Sequence, residues 1–167
     1  ANTQDDQTIY FYSYYAYMSW NFNASAIRAV PRCVNSALYD KISNTDIRKQ
    51  WWDPTGKAEV PASNFKRFPY QNRKFTAKSS SNAVGDFPFM RLAELYLMKA
   101  EALARNNQLQ EAQKTLTAFA LTRDPEYKET SKTAVELAEE IMIQRRIELW
   151  GEGFRFTDLK RLNLPLD

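Results

Sequence analysis

The 167-residue chain has no histidine, one cysteine and four glycines, and each scarcity narrows what it can do. Without histidine there is no imidazole to act as a base near neutral pH or to ligate zinc. Without a second cysteine there is neither a disulfide framework nor a multi-thiolate metal site. Cys33, with no histidine to activate it, reads as a small apolar residue packed inside and inert. No apolar run approaches about 18 residues, so no membrane-spanning helix is predicted. The opening Ala1-Asn2-Thr3-Gln4-Asp5-Asp6 lacks the basic start and apolar stretch of a signal peptide. Because the chain begins without Met on a polar lead-in, it is expected to be a piece of something longer. An excess of one charge is missing too: 23 Lys and Arg face 20 Asp and Glu, for a formal +3. No basic stripe suited to tracking phosphates is visible, which argues against a nucleic-acid partner.

What is present is a globular composition, 44% hydrophobic and 26% charged, sufficient for a core in one or two units. Its character changes near Gly85, dividing residues 1–86, a loop-rich aromatic lobe, from residues 87–167, a helical region. The two are expected to be parts of one integrated domain. The first region holds most of the aromatic rings, from Tyr10, Phe11 and Tyr12 onward, with Pro31, Pro54, Pro61 and Pro69 interrupting long elements. Leu38, Ile42 and Ile47 predict a helix within residues 36–50, and residues 10–17 fit a strand or a helix packed on both sides. Residues 53–84 show no sustained period, and Lys78-Ser79-Ser80-Ser81-Asn82 reads as an exposed loop.

The second region is regular. Residues 89–105 lack glycine and proline and are rich in helix formers, with Tyr96, Ala100 and Leu103 expected on the core face. After the polar turn Asn106-Asn107-Gln108, a second helix carries Ala112, Leu116 and Phe119 inward. The result is a hairpin with tetratricopeptide-like spacing. One hairpin cannot bury its own face, so helical neighbours are expected. A third helix should start near Ser131 or Thr133, with Glu136 in its first turn, and run to Trp150. Gly151 and Gly153 then supply a stop, and a short helix follows over residues 154–161 before Pro165.

The last stretch, Arg145-Arg146-Ile147-Glu148-Leu149-Trp150-Gly151-Glu152-Gly153-Phe154-Arg155-Phe156-Thr157-Asp158-Leu159-Lys160-Arg161, sets charges into an apolar pattern. Arg145 and Glu148 share a helix face with Ile141 and Leu149, so their charges need partners. A structural ion-pair network of Arg91, Glu94, Glu101, Arg145, Glu148, Glu152, Arg155 and Asp158 is therefore expected. Glu148 and Glu152 also evoke the carboxylate pair of glycoside hydrolysis. The arginines around them favour satisfied ion pairs instead, and no enzyme activity is expected.

Two blocks resemble the C-terminal part of the SusD/RagB family, outer-membrane nutrient-binding lipoproteins of Bacteroidetes. The first is Phe87-Pro88-Phe89-Met90-Arg91-Leu92-Ala93-Glu94-Leu95-Tyr96-Leu97-Met98-Lys99-Ala100-Glu101-Ala102. The second runs from Ile143 to Arg161, similar to the family's Glu-Arg-Arg-x-Glu-Leu, Glu-Gly-x-Arg and Asp-Leu-x-Arg motifs. Asp46-Ile47-Arg48 and Lys74-Phe75 sit where the family places an Asp-x-Arg and a Lys-Phe. Gln144 departs from the usual acidic residue before the arginines, and Asn107 from the usual glycine of the hairpin turn. The resemblance implies a surface-exposed outer-membrane protein that captures a glycan or peptide and hands it to a TonB-dependent transporter. It also implies no catalysis, no cofactor, and a lipid anchor on a part of the protein not included here.

Sugars are held by aromatic faces, with amides, carboxylates and guanidiniums at the ring edge. The candidates are Trp20 with Asn21, and Trp52 with Asp53, supported by Tyr14 and Tyr17; Asn23 also flanks Trp20. Trp51 and Trp52 are adjacent and point oppositely in an extended segment, so at most one is a platform, and Trp52 is favoured. The competing view is that these rings seal a loop-rich lobe. The fold expected is mainly α, a tetratricopeptide-like hairpin plus further C-terminal helices with the aromatic lobe before it. The partner is an oligosaccharide or polysaccharide; the alternative function is a tetratricopeptide-like scaffold that docks a protein.

Overall fold

A computed structural model describes residues 14–83, 85, 89–131 and 133–165. The elements in chain order are α1 (Tyr14–Met18), α2 (Ser25–Ala29), α3 (Ser36–Tyr39), a 3₁₀ helix (Ile47–Trp51), β1 (Trp52–Asp53), β2 (Gln71–Asn72), α4 (Leu92–Arg105), α5 (Leu109–Ala120), α6 (Ala134–Glu148) and α7 (Phe154–Arg161). They belong to two units: Ala1–Asp40 with Lys49–Phe89, the aromatic unit, and Lys41–Arg48 with Met90–Asp167, the helical unit. The fold is mainly α.

In the helical unit, α4 forms because its 14 residues include no glycine, proline or β-branched side chain, with Glu94 in the first turn and Arg105 in the last to complement the helix dipole. Its buried face is Ala93, Leu97, Ala100, Glu101 and Ala104. Of the expected face, Ala100 is buried and Leu103 packs against the core, but Tyr96 is 40% exposed and Leu97, at 0%, takes the inward position instead. Three alanines on the inner face let α5 approach closely, which a tyrosine there would prevent. The turn works with asparagine in place of glycine because Asn107 adopts φ 57, a left-handed conformation asparagine tolerates. The Gln108 N–H then donates to the Leu103 carbonyl at 2.9 Å, closing the end of α4.

α5 contributes Ala112, Leu116 and Phe119 to a core completed by Leu137 and Ile141 of α6, so α6 is the neighbour the hairpin required. Thr133 and Glu136 form both halves of a capping box at its start. α6 ends at Glu148, two residues short of the expected Trp150, with Leu149 as C-cap. Gly151 and Gly153 take φ 79 and 88 and turn the chain into α7.

The helix expected over residues 36–50, whose residues divide between the two units, is not continuous. It stops at Tyr39, and only the 3₁₀ helix resumes at Ile47. Local side-chain bonds compete for the backbone between them: the Thr45 N–H donates to Ser43 Oγ at 3.3 Å and the Arg48 N–H to Asp46 Oδ1 at 2.8 Å. Of the ambiguous segment 10–17, Tyr14 onward is helical, while Tyr10, Phe11 and Tyr12 lie outside the described residues, as do Phe87 and Pro88. β1 and β2 pair antiparallel, Trp52 opposite Asn72 and Asp53 opposite Gln71. Residues 20–23 run beside residues 75–80: the Trp20 N–H donates to the Phe75 carbonyl at 3.1 Å and the Asn23 N–H to that of Ser80 at 2.7 Å. Beneath them Ala16, Phe22, Ala77 and Ala83 form a small core. Cys33, expected inside, is exposed, because its backbone is committed to a bridge with Gln71 that leaves the side chain outside. Partial burial still pushes its thiol above the ordinary value, away from the reactive thiolate.

Candidate functional site

The charged motifs converge on two clusters within the helical unit. In the first, Glu148 is wholly buried and accepts hydrogen bonds from three arginines. Arg91 meets one carboxylate oxygen, Arg123 meets both at 3.1 Å, and Arg48 lies 3.5 Å from Oε2. Arg48, itself buried, also grips Asp46 at 2.6 and 3.0 Å and Gln144 Oε1 at 2.5 Å. Arg91 further pairs with Glu152 and donates to the Glu148 carbonyl at 3.2 Å. Three guanidiniums are thus matched by Asp46, Glu148 and Glu152. Burial alone would raise the Glu148 carboxyl, but Arg123, Arg91 and Arg48 override it and hold the group below the usual carboxylate range.

Gln144 has a place in this balance. Its oxygen accepts from Arg48 while its amide donates to Glu140 Oε1 at 2.9 Å, so one neutral side chain bridges a cation and an anion. A carboxylate at this position would face Glu140, which burial, and then Glu129 nearby, already push upward.

In the second cluster, Glu101 accepts two bonds from Arg161 and one from Arg105, each at 2.7 Å. Asp158 accepts from Arg145 Nε and Arg161 Nε, each at 2.8 Å, and the Arg145 guanidinium lies over the Phe154 ring at 5.0 Å. Glu94 is half-buried in the first turn of α4 and lines a groove with Glu101, Arg145 and Asp158 of the second cluster, and Arg155 lines a separate groove with Arg146 and Leu162. Sequence reasoning did not place Asp46, Arg48, Arg105, Arg123 or Arg161 among the ion pairs, nor Gln144 as their neutral bridge. For Asp46 and Arg48 the Asp-x-Arg resemblance was the available signal; Arg123 carried none.

The aromatic unit holds a cleft of about 440 Å³ lined by Tyr17, Phe22, Asn23, Ser25, Arg28 and Ser80, among others. Tyr17 is 42% exposed, and Arg28 Nη1 donates to Asn23 Oδ1 at 2.5 Å. The cleft forms because residues 20–23 are pinned beside 75–80, while α1 and α2 supply Tyr17 and Arg28 from either side of that segment. Trp20 is half-buried, its ring covered on one face by the Arg73 guanidinium at 3.9 Å and its indole N–H donating to Thr76 Oγ1 at 3.0 Å.

The other candidates turn inward. Asn21 is bound to the backbone of Ala77 in both directions, at 2.9 and 2.8 Å. Tyr14 packs edge-on against Phe75 at 5.2 Å. Trp52 is 2% exposed and offers no ring face, so the choice between the paired tryptophans is corrected: Trp51 is the more exposed, with the Lys74 ammonium 4.9 Å from its ring. Asp53 holds the next turn, accepting from the Thr55 N–H at 3.0 Å, the Thr55 hydroxyl at 2.7 Å and the Ala58 N–H at 2.8 Å. Gly56 closes that turn at φ 66, where an added Cβ would lie 2.8 Å from the Phe68 backbone. Sequence reasoning placed Tyr17 near the ligand but missed Arg28, Ser25 and Ser80, which no local motif marks.

A tetratricopeptide-like hairpin extended by α6 and α7, with its charged motifs gathered into buried ion clusters, defines a mainly helical protein. The sequence model of the SusD family matches residues 2–166, and the chain belongs to that family. It is similar in structure to a SusD-like carbohydrate binding protein from Bacteroides vulgatus ATCC 8482, with a TM-score of 0.72 and 28% identity over 90% of this chain. The chain spans 31% of the length of that protein. No curated protein matches it in sequence.

Proposed function

We propose that this chain is the glycan-binding C-terminal part of a cell-surface SusD-like protein of the outer membrane, anchored by a lipid elsewhere in the full-length protein. In this reading it captures an oligosaccharide and passes it to a TonB-dependent transporter. The aromatic unit carries the binding and the helical unit is the scaffold. The observation that carries this reading is the exposed Tyr17 ring beside a cleft whose edge is set with Asn23, Ser25, Arg28 and Ser80. An aromatic face for the apolar side of a sugar ring and polar groups for its hydroxyls are what glycan recognition needs. The similarity to a protein described as carbohydrate binding supports it. Catalysis is not proposed, because Glu148 and Glu152, the pair that evoked glycoside hydrolysis, are both engaged by arginine.

The reading is tested by titrating the 167-residue chain with a polysaccharide panel. Tyr17→Ala should weaken retention about tenfold with an unchanged melting curve; unchanged affinity would remove the cleft from the account. A second reading, docking of a protein partner on the hairpin, is favoured by the exposed Leu92, Leu95 and Met98 of α4. Glycan binding that survives Leu95→Glu but not Tyr17→Ala separates the two.

A further inference from the structure

We infer that the cleft beside Tyr17 takes an anionic glycan, a polymer bearing uronate carboxylates or sulfate esters, with Arg28 meeting the acidic group. This rests on the glycan-binding reading and names the ligand class. The first support is how charge is divided. The described residues of the helical unit carry thirteen basic and thirteen acidic side chains, whereas those of the aromatic unit carry nine basic ones against Asp40, Asp53 and Glu59. With Asp5, Asp6 and Asp86 of the same unit counted, nine basic residues face six acidic ones, a surplus equal to the formal +3 of the whole chain.

The second support is how the arginines are partnered. In the helical unit Arg48, Arg91, Arg123, Arg145 and Arg161 each meet a carboxylate. Arg28 instead bonds the neutral Asn23, forms no ion pair among the described residues, and is the one charged side chain among the described residues that line the cleft. A cation at a partly enclosed site without a counter-ion draws an anion.

The same pattern recurs at Trp20. Arg73 is held flat on the ring at 3.9 Å, donates to the neutral Glu59 carbonyl at 2.7 Å and forms no ion pair among the described residues. Its Nε is buried without a hydrogen-bond partner among the described residues. Burial lowers its affinity for its proton, against the pull of Asp53 and, more weakly, Glu59, while Arg67 adds to the lowering. Residues 20–23 join this arginine to the cleft, a reach of roughly 10 Å in extended chain. A charged polymer lying along that segment meets Arg73 at one end and Arg28 at the other.

The experiment titrates the 167-residue chain with polygalacturonate, dextran sulfate and two neutral polymers, dextran and pullulan, at low and high salt. At least one acidic polymer should bind and the neutral ones should not, and which acidic polymer binds tells carboxylate from sulfate. Arg28→Gln should weaken binding about tenfold, Arg28→Lys far less, and Lys57→Gln, an exposed charge off the cleft, less than about twofold. Equal losses in Arg28→Gln and Lys57→Gln would reduce the effect to bulk charge attraction and overturn the inference. Neutral polymers bound as tightly as acidic ones would overturn it while leaving the glycan reading intact. Binding to no polysaccharide at all would sink both.

Discussion

Replacing Glu148 with alanine is the sharpest perturbation of the scaffold. The carboxylate is wholly buried and is the shared acceptor of Arg48, Arg91 and Arg123. Its loss strands three guanidiniums with only Asp46 and Glu152 to balance them. Breaking a buried ion pair by removing one partner costs about 3–5 kcal/mol. For a chain of this size each kcal/mol moves Tm by about 2–4 °C, so a fall of roughly 6–20 °C is expected. Far-UV circular dichroism melts and urea unfolding measure it. Glu148→Gln, which keeps the volume and one acceptor oxygen, should lose less. The pH dependence has a definite sign. Because the folded carboxyl is held below its ordinary value, its contribution is fully present above about pH 4.3 and is lost as pH falls below that toward the lowered folded value. Glu101, whose carboxyl burial would raise but Arg161 and Arg105 hold low, adds a loss of the same sign. Glu148→Gln should therefore flatten the acid limb of the stability curve. A Glu148→Ala protein that melts within about 2 °C of the parent would refute this reasoning. So would a stable variant that loses only glycan binding.

Two further outcomes follow from the helical unit. Glu140 is the converse of Glu148: burial and then Glu129 raise its carboxyl, so the folded state loses stability as pH rises through that window. Glu140→Gln, whose oxygen can still accept from Tyr127 and Gln144, should match or exceed the parent in urea midpoint at neutral pH; a marked fall would show that the charge itself is needed. Thr133→Ala removes the hydroxyl half of the α6 capping box and should cost about 1 kcal/mol in chemical unfolding, and no change would mean that α6 starts independently of its cap.

The parts legible in the sequence were those governed by neighbours in the chain. The capping box at Thr133 and Glu136, the glycine stop after α6 and the small residues of the hairpin are local, and each was found where its residues stand. The break between α3 and the 3₁₀ helix was missed because Ser43 and Asp46 bond the backbone in a way that apolar spacing at Leu38, Ile42 and Ile47 does not reveal. On the inner face of α4, Ala100 was legible but Tyr96 was misplaced, because tyrosine looks like a core residue while close helix approach favours alanines such as Ala93 and Ala104. The ion clusters were half legible: the motifs gave Arg91, Glu101, Glu148, Glu152 and Asp158, but partners brought in from 25 to 100 residues away, Arg123 and Arg48, depend on the tertiary fold. For the paired tryptophans, adjacency separated Trp51 from Trp52 but could not say which was buried. Arg28 gave no signal because no local motif marks it, and its lack of an ion pair among the described residues is visible only in the fold.

The central claim is that the aromatic unit binds while the Arg and Glu motifs hold the fold, and titration of Tyr17→Ala with the polysaccharide bound by the parent tests it most directly. The account predicts an affinity lower by about tenfold at an unchanged Tm. Full affinity in that variant, with the glycan still bound, would contradict it.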